Sequence, residues 1–319
     1  MPANWDDAVL GTEDECSVLD DGAGVYQGVT EYWAYSHGIS TKEYGDKVYF
    51  RTYIVVDGQE YYGEISEYSV VTYAENQLKK TSTSAKTLKL KALLAAMLNY
   101  GAAAQAQFKY KTETPANACL QSYVDQGLLD AAYLNPEFQY SMLDVPAAPS
   151  AAMTANFQKN GAAKTAATLL LEGAVGVRMT FAYNLVNNKG TQLPAGTEAT
   201  VYYWTAKDYA ALEAKGEALS KANASYTRGT ADLKETNSTK YGYEYQVVSD
   251  GIVAKSLGDA LYIACIFEID GVEYCSGVEV YSPEVYAKNQ IDNNKAATLQ
   301  ELVGRMTIYG EAAKTYFAK

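Results

Sequence analysis

The chain contains an internal repeat, and this feature constrains its fold more than any other. Shifting the sequence by 213 positions aligns residues 31–78 with residues 244–291 without a gap, and 19 of the 48 aligned positions are identical. Each segment runs through an Asp-Gly pair and a short alternating stretch into a helical pattern. A match of this length indicates a duplicated structural unit.

A second shift, of 209 positions, extends the match to residues 90–108 and 299–317. We therefore call residues 31–108 the first copy and residues 244–317 the second copy. Apolar or small residues recur every three or four positions in both extensions, which predicts helices buried along one side. The residues predicted to be buried are Leu90, Leu94, Met97, Gly101, Ala104 and Phe108 in the first copy and Leu299, Val303, Met306, Gly310, Ala313 and Phe317 in the second.

Each copy is predicted to end in a helical hairpin. Ser69 and Ser282 are candidate N-caps of a shorter helix, and Pro283 falls at a first helical position, where its missing N–H is harmless. Within the longer helices, Gly101 and Gly310 each destabilise by roughly 1 kcal/mol relative to alanine. We expect a close helix crossing at these two glycines.

Strands are expected before each helical hairpin. Residues 47–56 and 260–269 have strand composition, and each segment leads into an Asp-Gly pair that favours a tight turn. A two-residue turn in the second copy places Cys275 opposite Ile266, which disfavours a disulfide between Cys275 and Cys265.

The region before the second copy carries further strand patterns at residues 166–186 and 198–206 and an inserted helix within 208–224. The predicted fold is therefore mainly β with α, of the α+β class. It has two tandem β-sandwich-like modules, each followed by a C-terminal helical hairpin. The expected domains are an N-terminal module with a truncated β-part at 1–110, a linker at 111–164 and a complete module at 165–319.

The truncation of the first module has two explanations that the sequence leaves open. Only 30 residues precede the first copy, too few for matching strands. Either the chain is a piece of a longer array, or the missing strands come from residues 165–206 or from another subunit by strand complementation. We favour the first explanation, because Met1-Pro2 resembles an added start and Lys319 falls at a module end.

The paired segments YSVVTYAENQL with LLAAMLNYGAAAQAQF, and YSPEVYAKNQI with RMTIYGEAAKTYF, resemble modules of large exported, cell-surface or cellulosome-associated proteins of gut clostridia and ruminococci. The resemblance extends over residues 31–110 and 165–319. It implies an extracellular multidomain setting and no catalytic residue. The signature residues, which we expect to be structural, are Tyr68, Tyr73, Asn76, Tyr100 and Gly101.

Charge and composition exclude several classes of partner. Acidic residues exceed basic ones by 38 to 26, which argues against a nucleic-acid surface built on clustered lysine and arginine. No apolar run approaches the roughly 20 residues of a membrane span, and no signal-peptide pattern opens the chain. The 29 tyrosines indicate amphipathic rings on half-solvated sheet faces.

The sequence shows no catalytic, metal-binding or cofactor-binding pattern. His37 is the only histidine, the four cysteines are scattered, and G-x-S-x-G and cofactor-binding glycine patterns are missing. Acidic segments near the N-terminus lack the ligand alternation of a calcium loop. We therefore expect no catalytic residue, no metal and no cofactor. Paired carboxylates for glycoside hydrolysis depend on spatial separation and stay open.

Aromatic residues that differ between the copies are candidates for a glycan-binding surface. Strand alternation places Trp33 and Tyr35 on one face, and the first hairpin places Tyr53 opposite Tyr62. Aromatic rings next to polar groups suit pyranose stacking. The competing interpretation is that these rings pack against other parts of the fold. Tyr202 and Trp204 form a second candidate pair.

These patterns predict a non-catalytic extracellular structural or adhesion segment that spaces or displays neighbouring domains. The alternative is a carbohydrate-binding module with exposed aromatics, and a glycoside-acting enzyme is a distant third. Expected partners are neighbouring modules of a longer polypeptide or a cell-surface assembly, or polysaccharide, but not nucleic acid, and no membrane span is expected. The expected location is extracellular or at the cell surface.

Overall fold

The computed structural model has the mixed α+β character that the sequence predicts, with several sheets and six α-helices in its described part. The chain divides into two compact units, Met1–Asn135 and Pro136–Lys319. The domain limits expected at residues 110 and 165 stay a prediction. The described residues are 23–26, 29–32, 39–171, 175–249 and 251–318.

The first unit combines short strand pairs with helices. Its antiparallel pairs are β1 (Ala23–Tyr26) with β2 (Val29–Tyr32), β3 (Val48–Phe50) with β6 (Ser66–Tyr68), and β4 (Tyr53–Val56) with β5 (Gln59–Tyr62). Its helices are α1 (Val70–Leu78), α2 (Ala85–Phe108) and α3 (Leu120–Asp125). The strand expected over residues 47–56 is therefore interrupted at residues 51–52.

The helices of the first unit share one apolar core. Helix α1 begins at Ser69 as predicted, since the Ser69 hydroxyl accepts a hydrogen bond from the Thr72 N–H at 3.0 Å. Residues beyond α2 fold back onto it, because the buried Asn99 amide donates to the Tyr133 carbonyl at 3.0 Å. The fully or nearly buried members of this core are Ala74, Leu78, Leu94, Ala95, Leu98, Leu120, Tyr123 and Leu129.

The second unit contains two larger sheets and three helices. The four-stranded sheet has the order β11 (Tyr226–Arg228), β10 (Glu198–Thr205), β14 (Leu261–Ile269), β15 (Val272–Tyr281). The five-stranded sheet has the order β12 (Lys234–Ser238), β13 (Gly242–Ser249), β9 (Lys189–Thr191), β8 (Gly176–Val186), β7 (Ala162–Leu170), with β13 also pairing to β8. The helices are α4 (Ala206–Lys215), α5 (Pro283–Asp292) and α6 (Ala297–Phe317).

The two sheets pack in a β-sandwich-like manner through aromatic contacts. The Phe267 ring of β14 is fully buried, with its centroid 6.2 Å from that of Tyr183 on β8 and 5.6 Å from that of Tyr245 on β13. The strands within residues 162–205 are hydrogen-bonded inside these sheets. The described strands within residues 162–205 therefore belong to the sheets of the second unit.

The predicted turn in the second copy has the expected register. Asp270 and Gly271 have φ of 51° and 75°, as a type I′ turn requires. Cys275 lies opposite Ile266, and Cys275 and Cys265 are free thiols, as the register argument predicts.

Both copies keep the same strand pairing. Every described pair in β3–β6 and β4–β5 has its counterpart, 213 positions later, in the pairing of β14 with β15. The interruption at residues 51–52 corresponds to the bulge in the second copy between Ala264 and Ile266. Examples of matched pairs are Val48 opposite Tyr68 with Leu261 opposite Tyr281, and Tyr53 opposite Tyr62 with Ile266 opposite Cys275.

The mid-helix glycines are in close contact, but not with another helix. A β-carbon added at Gly101 would lie 2.8 Å from Cδ2 of Tyr44, and one at Gly310 would lie 3.2 Å from Cβ of Leu257. Tyr44 and Leu257 are matched positions of the repeat, and each follows a short 3₁₀ helix. The expected helix crossing is wrong, because this 3₁₀ turn is the element that approaches the long helix.

The predicted buried stripe of each long helix is confirmed in its centre. Leu94 and Ala104 are buried in α2, and Val303 and Met306 are buried in α6. The prediction is wrong for Phe317, which is 56% exposed at the last turn of α6. Among the described helices, none is both long and apolar enough to cross a lipid bilayer.

The contact at Gly101 generates a stability prediction. Gly101→Ala should lower the free energy of unfolding by about 1–3 kcal/mol, the usual range for overpacking, even though alanine is the better helix former. Combining it with Tyr44→Leu should recover part of the loss, because the clashing ring is removed. Urea unfolding followed by circular dichroism measures both effects.

Gly45→Ala is the matched control, because an added β-carbon there finds no atom within 4 Å. It should change the free energy of unfolding by less than about 0.5 kcal/mol. A Gly101→Ala variant as stable as the Gly45→Ala variant would contradict the close contact.

Candidate functional site

The candidate site is the β4–β5 hairpin of the first copy. Its turn is formed by Asp57 and Gly58, with φ of 53° and 79°, so the sharp I′ geometry brings the two strands into tight antiparallel register. This register places Tyr53 directly opposite Tyr62, as the sequence predicts. The hairpin therefore presents two aromatic side chains on one face.

Tyr53 and Tyr62 form a solvent-exposed ring pair. Their ring centroids are 6.1 Å apart, with an interplanar angle of 32°. The two residues are 40% and 41% exposed. Rings at this separation and tilt can offer a broad apolar surface to a ligand.

Charged groups flank the Tyr62 ring. The Arg51 guanidinium carbon lies 4.0 Å from its centroid, a cation–π contact. The Tyr62 hydroxyl donates a hydrogen bond to the Glu60 carboxylate. This hydrogen bond is the main reason that the pKa of Tyr62 is raised above its ordinary value, because it favours the protonated phenol.

The matched positions of the second copy lie in a covered sheet, where their side chains are buried. Ile266 and Cys275 match Tyr53 and Tyr62, and they are only 6% and 7% exposed. They belong to an apolar cluster with the buried Trp204. The aromatic face of the first copy thus corresponds to a core face of the second.

The other two predicted glycan-binding residues, Trp33 and Tyr35, lie outside the described residues, as does His37. Of the four predicted residues, the structure brings Tyr53 and Tyr62 together.

Other apolar side chains of the first copy are also exposed, and the sequence analysis missed them. Phe50, Tyr61 and Ile65 are each 49% exposed. Their matched residues include Ile263, which is fully buried. The repeat shows which positions are apolar in both copies. Whether such a position is exposed depends on the neighbouring strands, so the strands that cover each copy have to be compared as well.

The second aromatic candidate, Trp204 with Tyr202, is wrong as an exposed platform. Trp204 is fully buried, and its indole N–H donates to the Asn223 side-chain oxygen at 3.0 Å. Its ring packs edge-on against Phe157, with centroids 5.0 Å apart. Met153, Phe157 and Leu219 belong to the same buried cluster, so this face of β10 is part of the core.

The described cysteines are poor nucleophiles. Burial raises the pKa of the Cys119 thiol to about 11 and also raises the pKa of Cys265 and Cys275. These thiols are therefore protonated at neutral pH. Within the part of the chain that the structure describes, no three His, Cys, Asp or Glu side chains are grouped as metal ligands.

One buried carboxyl group, Glu284, has no counterpart in the first copy, where Val71 occupies the matched position. It lies at the start of α5, and its Oε2 accepts a hydrogen bond from the Asp144 N–H at 2.5 Å. Burial raises the pKa of Glu284. Its contacts join the segment before β7 to the helix start, which is a structural task.

Comparison of the chain with protein-family models, with curated proteins and with solved structures finds no match.

The Tyr62–Glu60 contact generates a pH-dependent prediction. Glu60→Gln should lower the pKa of Tyr62, because the accepting carboxylate loses its charge. The folded-state pKa is raised, so any stabilisation by this contact is present at neutral pH and is lost as pH rises through that pKa. Titration of the tyrosine ring carbons by NMR measures the change.

Glu64→Gln is the control. Glu64 is two residues from Tyr62, as Glu60 is, but it does not contribute to the raised pKa of Tyr62. It should leave the Tyr62 titration unchanged. An unchanged pKa in Glu60→Gln would contradict the contact.

Proposed function

We propose that this chain is a non-catalytic structural or adhesion segment that spaces or displays neighbouring domains. The observation that carries the proposal is that residues identical in the two copies perform structural tasks. Ser69 and Ser282 each accept a hydrogen bond from the backbone N–H three residues later, at 3.0 and 3.1 Å. Asp57 and Asp270 each adopt the positive φ of a hairpin turn.

Other matched residues support the same proposal. Ala74 and Ala287 are fully buried on the inner side of α1 and α5. Gly101 and Gly310 are matched glycines, and each contacts the 3₁₀ turn of its own copy. Positions kept between duplicated units are thus accounted for by caps, turns and close packing, which is the pattern expected of repeated modules that serve as scaffolds.

The proposed setting is the extracellular space or the cell surface, and the proposed partners are neighbouring modules of a longer polypeptide or a cell-surface assembly. The resemblance of both copies to modules of exported proteins supports this setting. The excess of 12 negative charges is also consistent with a segment that stays apart from nucleic acid.

Glycan binding is the second candidate function. It is favoured by the exposed Tyr53–Tyr62 pair with Arg51 against one ring, since apolar rings beside hydrogen-bonding groups are what sugar sites use. It is weakened by the second copy, where the matched side chains are core residues. For this reason we rank it below the structural role.

Surface labelling tests the leading proposal. Antibodies raised against the purified chain should label intact, unpermeabilised cells of the source organism, while antibodies against a cytosolic protein should not. Labelling that appears only after permeabilisation would overturn the proposed location. Release of reducing sugar from any polysaccharide by the purified chain would overturn the non-catalytic role.

Retention on insoluble polysaccharides separates the two candidates. If the structural role holds, the chain should stay in the supernatant for every polysaccharide in a panel. Retention that is lost in Tyr53→Ala, Tyr62→Ala and Trp33→Ala would instead establish glycan binding. Tyr61→Ala is the matched control. Tyr61 is also exposed, but as the neighbour of Tyr62 on β5 it lies on the opposite face of the strand.

A further inference from the structure

In the first copy, the chain reverses direction at the end of the long helix. Helix α2 is followed by Lys109 in the left-handed conformation, with φ of 54°, and the next residue, Tyr110, donates its N–H to the Gln105 carbonyl at 2.9 Å. A left-handed residue directly after a helix turns the chain back. The segment after α2 therefore returns along the helix instead of continuing away from it.

Two residues of this returning segment bind one carboxylate. The Tyr110 hydroxyl donates a hydrogen bond to Asp46, and the Lys111 Nζ lies 2.7 Å from the other carboxylate oxygen of Asp46. The Lys42 Nζ, in the 3₁₀ turn, lies 5.6 Å from the Tyr110 ring centroid and 5.7 Å from that of Phe108. Tyrosine followed by lysine is thus the pair that closes the helix end in the first copy.

The second copy has the same receiving residues. Lysine, aspartate and phenylalanine recur at the matched positions as Lys255, Asp259 and Phe317. The Lys255 Nζ lies 5.9 Å from the Phe317 ring centroid, which repeats the cation–π contact of the first copy. We call these three residues together with Val253 the receiving surface.

The receiving surface is more exposed than its counterpart in the first copy. Phe317 and Val253 are 56% and 55% exposed, whereas Ser40, which matches Val253, is buried. Lys255 and Asp259 are exposed, whereas their matched residues are only partly exposed. Apolar groups and a carboxylate that the first copy holds against its own returning segment thus face solvent in the second.

The chain also leaves the second long helix differently. Ala318, directly after α6, has φ of −61° and ψ of 128°, an extended conformation, whereas Lys109 at the matched position is left-handed. The reversal that brings Tyr110 onto Asp46 therefore does not occur at Ala318. An occupant of the receiving surface is expected to come from another segment.

We propose that the receiving surface binds a tyrosine–lysine segment, with the pattern of Tyr110 and Lys111, from the linker of a neighbouring module. The tyrosine hydroxyl donates to Asp259, the lysine pairs with the same carboxylate, and the tyrosine ring lies beside Lys255 and Phe317. This inference rests on the proposed function, because it names the segment through which a neighbouring module contacts this one.

The chemistry of the surface selects this occupant. An acidic partner would meet the charge of Asp259, and an entirely apolar one would leave that carboxylate without a partner. A second copy of the chain carries the same segment, but it would have to give up the contacts of Tyr110 and Lys111 with its own Asp46 to donate it.

Recognition is confined to the tyrosine–lysine pair. Further along the first linker, the Gln105 side chain donates to the Thr114 carbonyl at 3.3 Å and accepts from the Ala116 N–H at 2.8 Å. Lys314 occupies the matched position of the second copy, and an ammonium group can donate but cannot accept. The contacts at Thr114 and Ala116 therefore have no full equivalent there.

The expected affinity is low for a free segment and sufficient for a tethered one. Exposed ion pairs and single hydrogen bonds contribute little each, so we expect a dissociation constant that is roughly millimolar. A segment tethered through a short linker reaches an effective concentration of about the same size. A neighbouring module on the same polypeptide can therefore occupy the surface.

A peptide with the sequence of residues 109–114 and blocked ends tests the proposal against the full chain. The chain carries para-fluorophenylalanine at residue 317, and its fluorine NMR signal should shift saturably as the peptide is added. A chain labelled at residue 108 instead should show no shift, because its own returning segment already occupies that site.

Variants define the mode of binding. Asp259→Asn should weaken peptide binding by at least about threefold, since the carboxylate loses its charge. A peptide with Tyr110→Phe keeps the ring but lacks the hydroxyl donor and should also bind more weakly. Asp270→Asn is the matched control, because it removes the same charge from another exposed aspartate, and asparagine tolerates the positive φ of that turn.

Three results would rule out the receiving surface. One is the absence of a saturable shift at residue 317. Another is equal peptide affinity of the Asp259→Asn and Asp270→Asn variants. The third is a residue 317 signal that shifts with protein concentration alone, which would make a second copy the occupant. None of these results affects surface labelling, so failure of this site is distinguishable from failure of the structural role.

Discussion

The second unit depends on one constraint: a fully apolar strand must have partners along both edges and cover on both faces. Strand β14 meets it, because β10 and β15 pair with its edges and its residues 263–267 are almost entirely buried. Buried backbone groups need hydrogen-bond partners, and a continuous apolar segment needs two covered faces. The two-sheet arrangement and the attached helices follow from this central strand.

The first copy shares local features with the second copy but differs from it in the exposure of its strands. Its hairpin register, its turn and the cap of its shorter helix match the second copy position by position. Its strands, however, are short, and its large apolar side chains are exposed. The same sequence module thus has buried strand side chains in the second copy and exposed ones in the first.

This difference explains why the aromatic face supports two functional readings. Tyr53 and Tyr62 stand where the second copy has Ile266 and Cys275, so the first copy has larger and more polar side chains at positions that are core in the second. Tyrosine tolerates both environments, since its ring packs against apolar groups and its hydroxyl remains hydrated. A ring pair at such positions can therefore pack against other parts of the fold or stack on a bound sugar.

Local features of this fold could be read from the sequence because short-range rules govern them. The Asp-Gly turns, the caps at Ser69 and Ser282 and the opposition of Cys275 to Ile266 depend on neighbouring residues only. The burial of Trp204 and the 3₁₀ turn against Gly101 depend on segments distant in the chain, and both were misread. The sequence by itself determined the duplicated module, its turns and its helix starts. Only the tertiary structure decided which copy is covered, because exposure is a property of the neighbouring strands and not of the residues they cover.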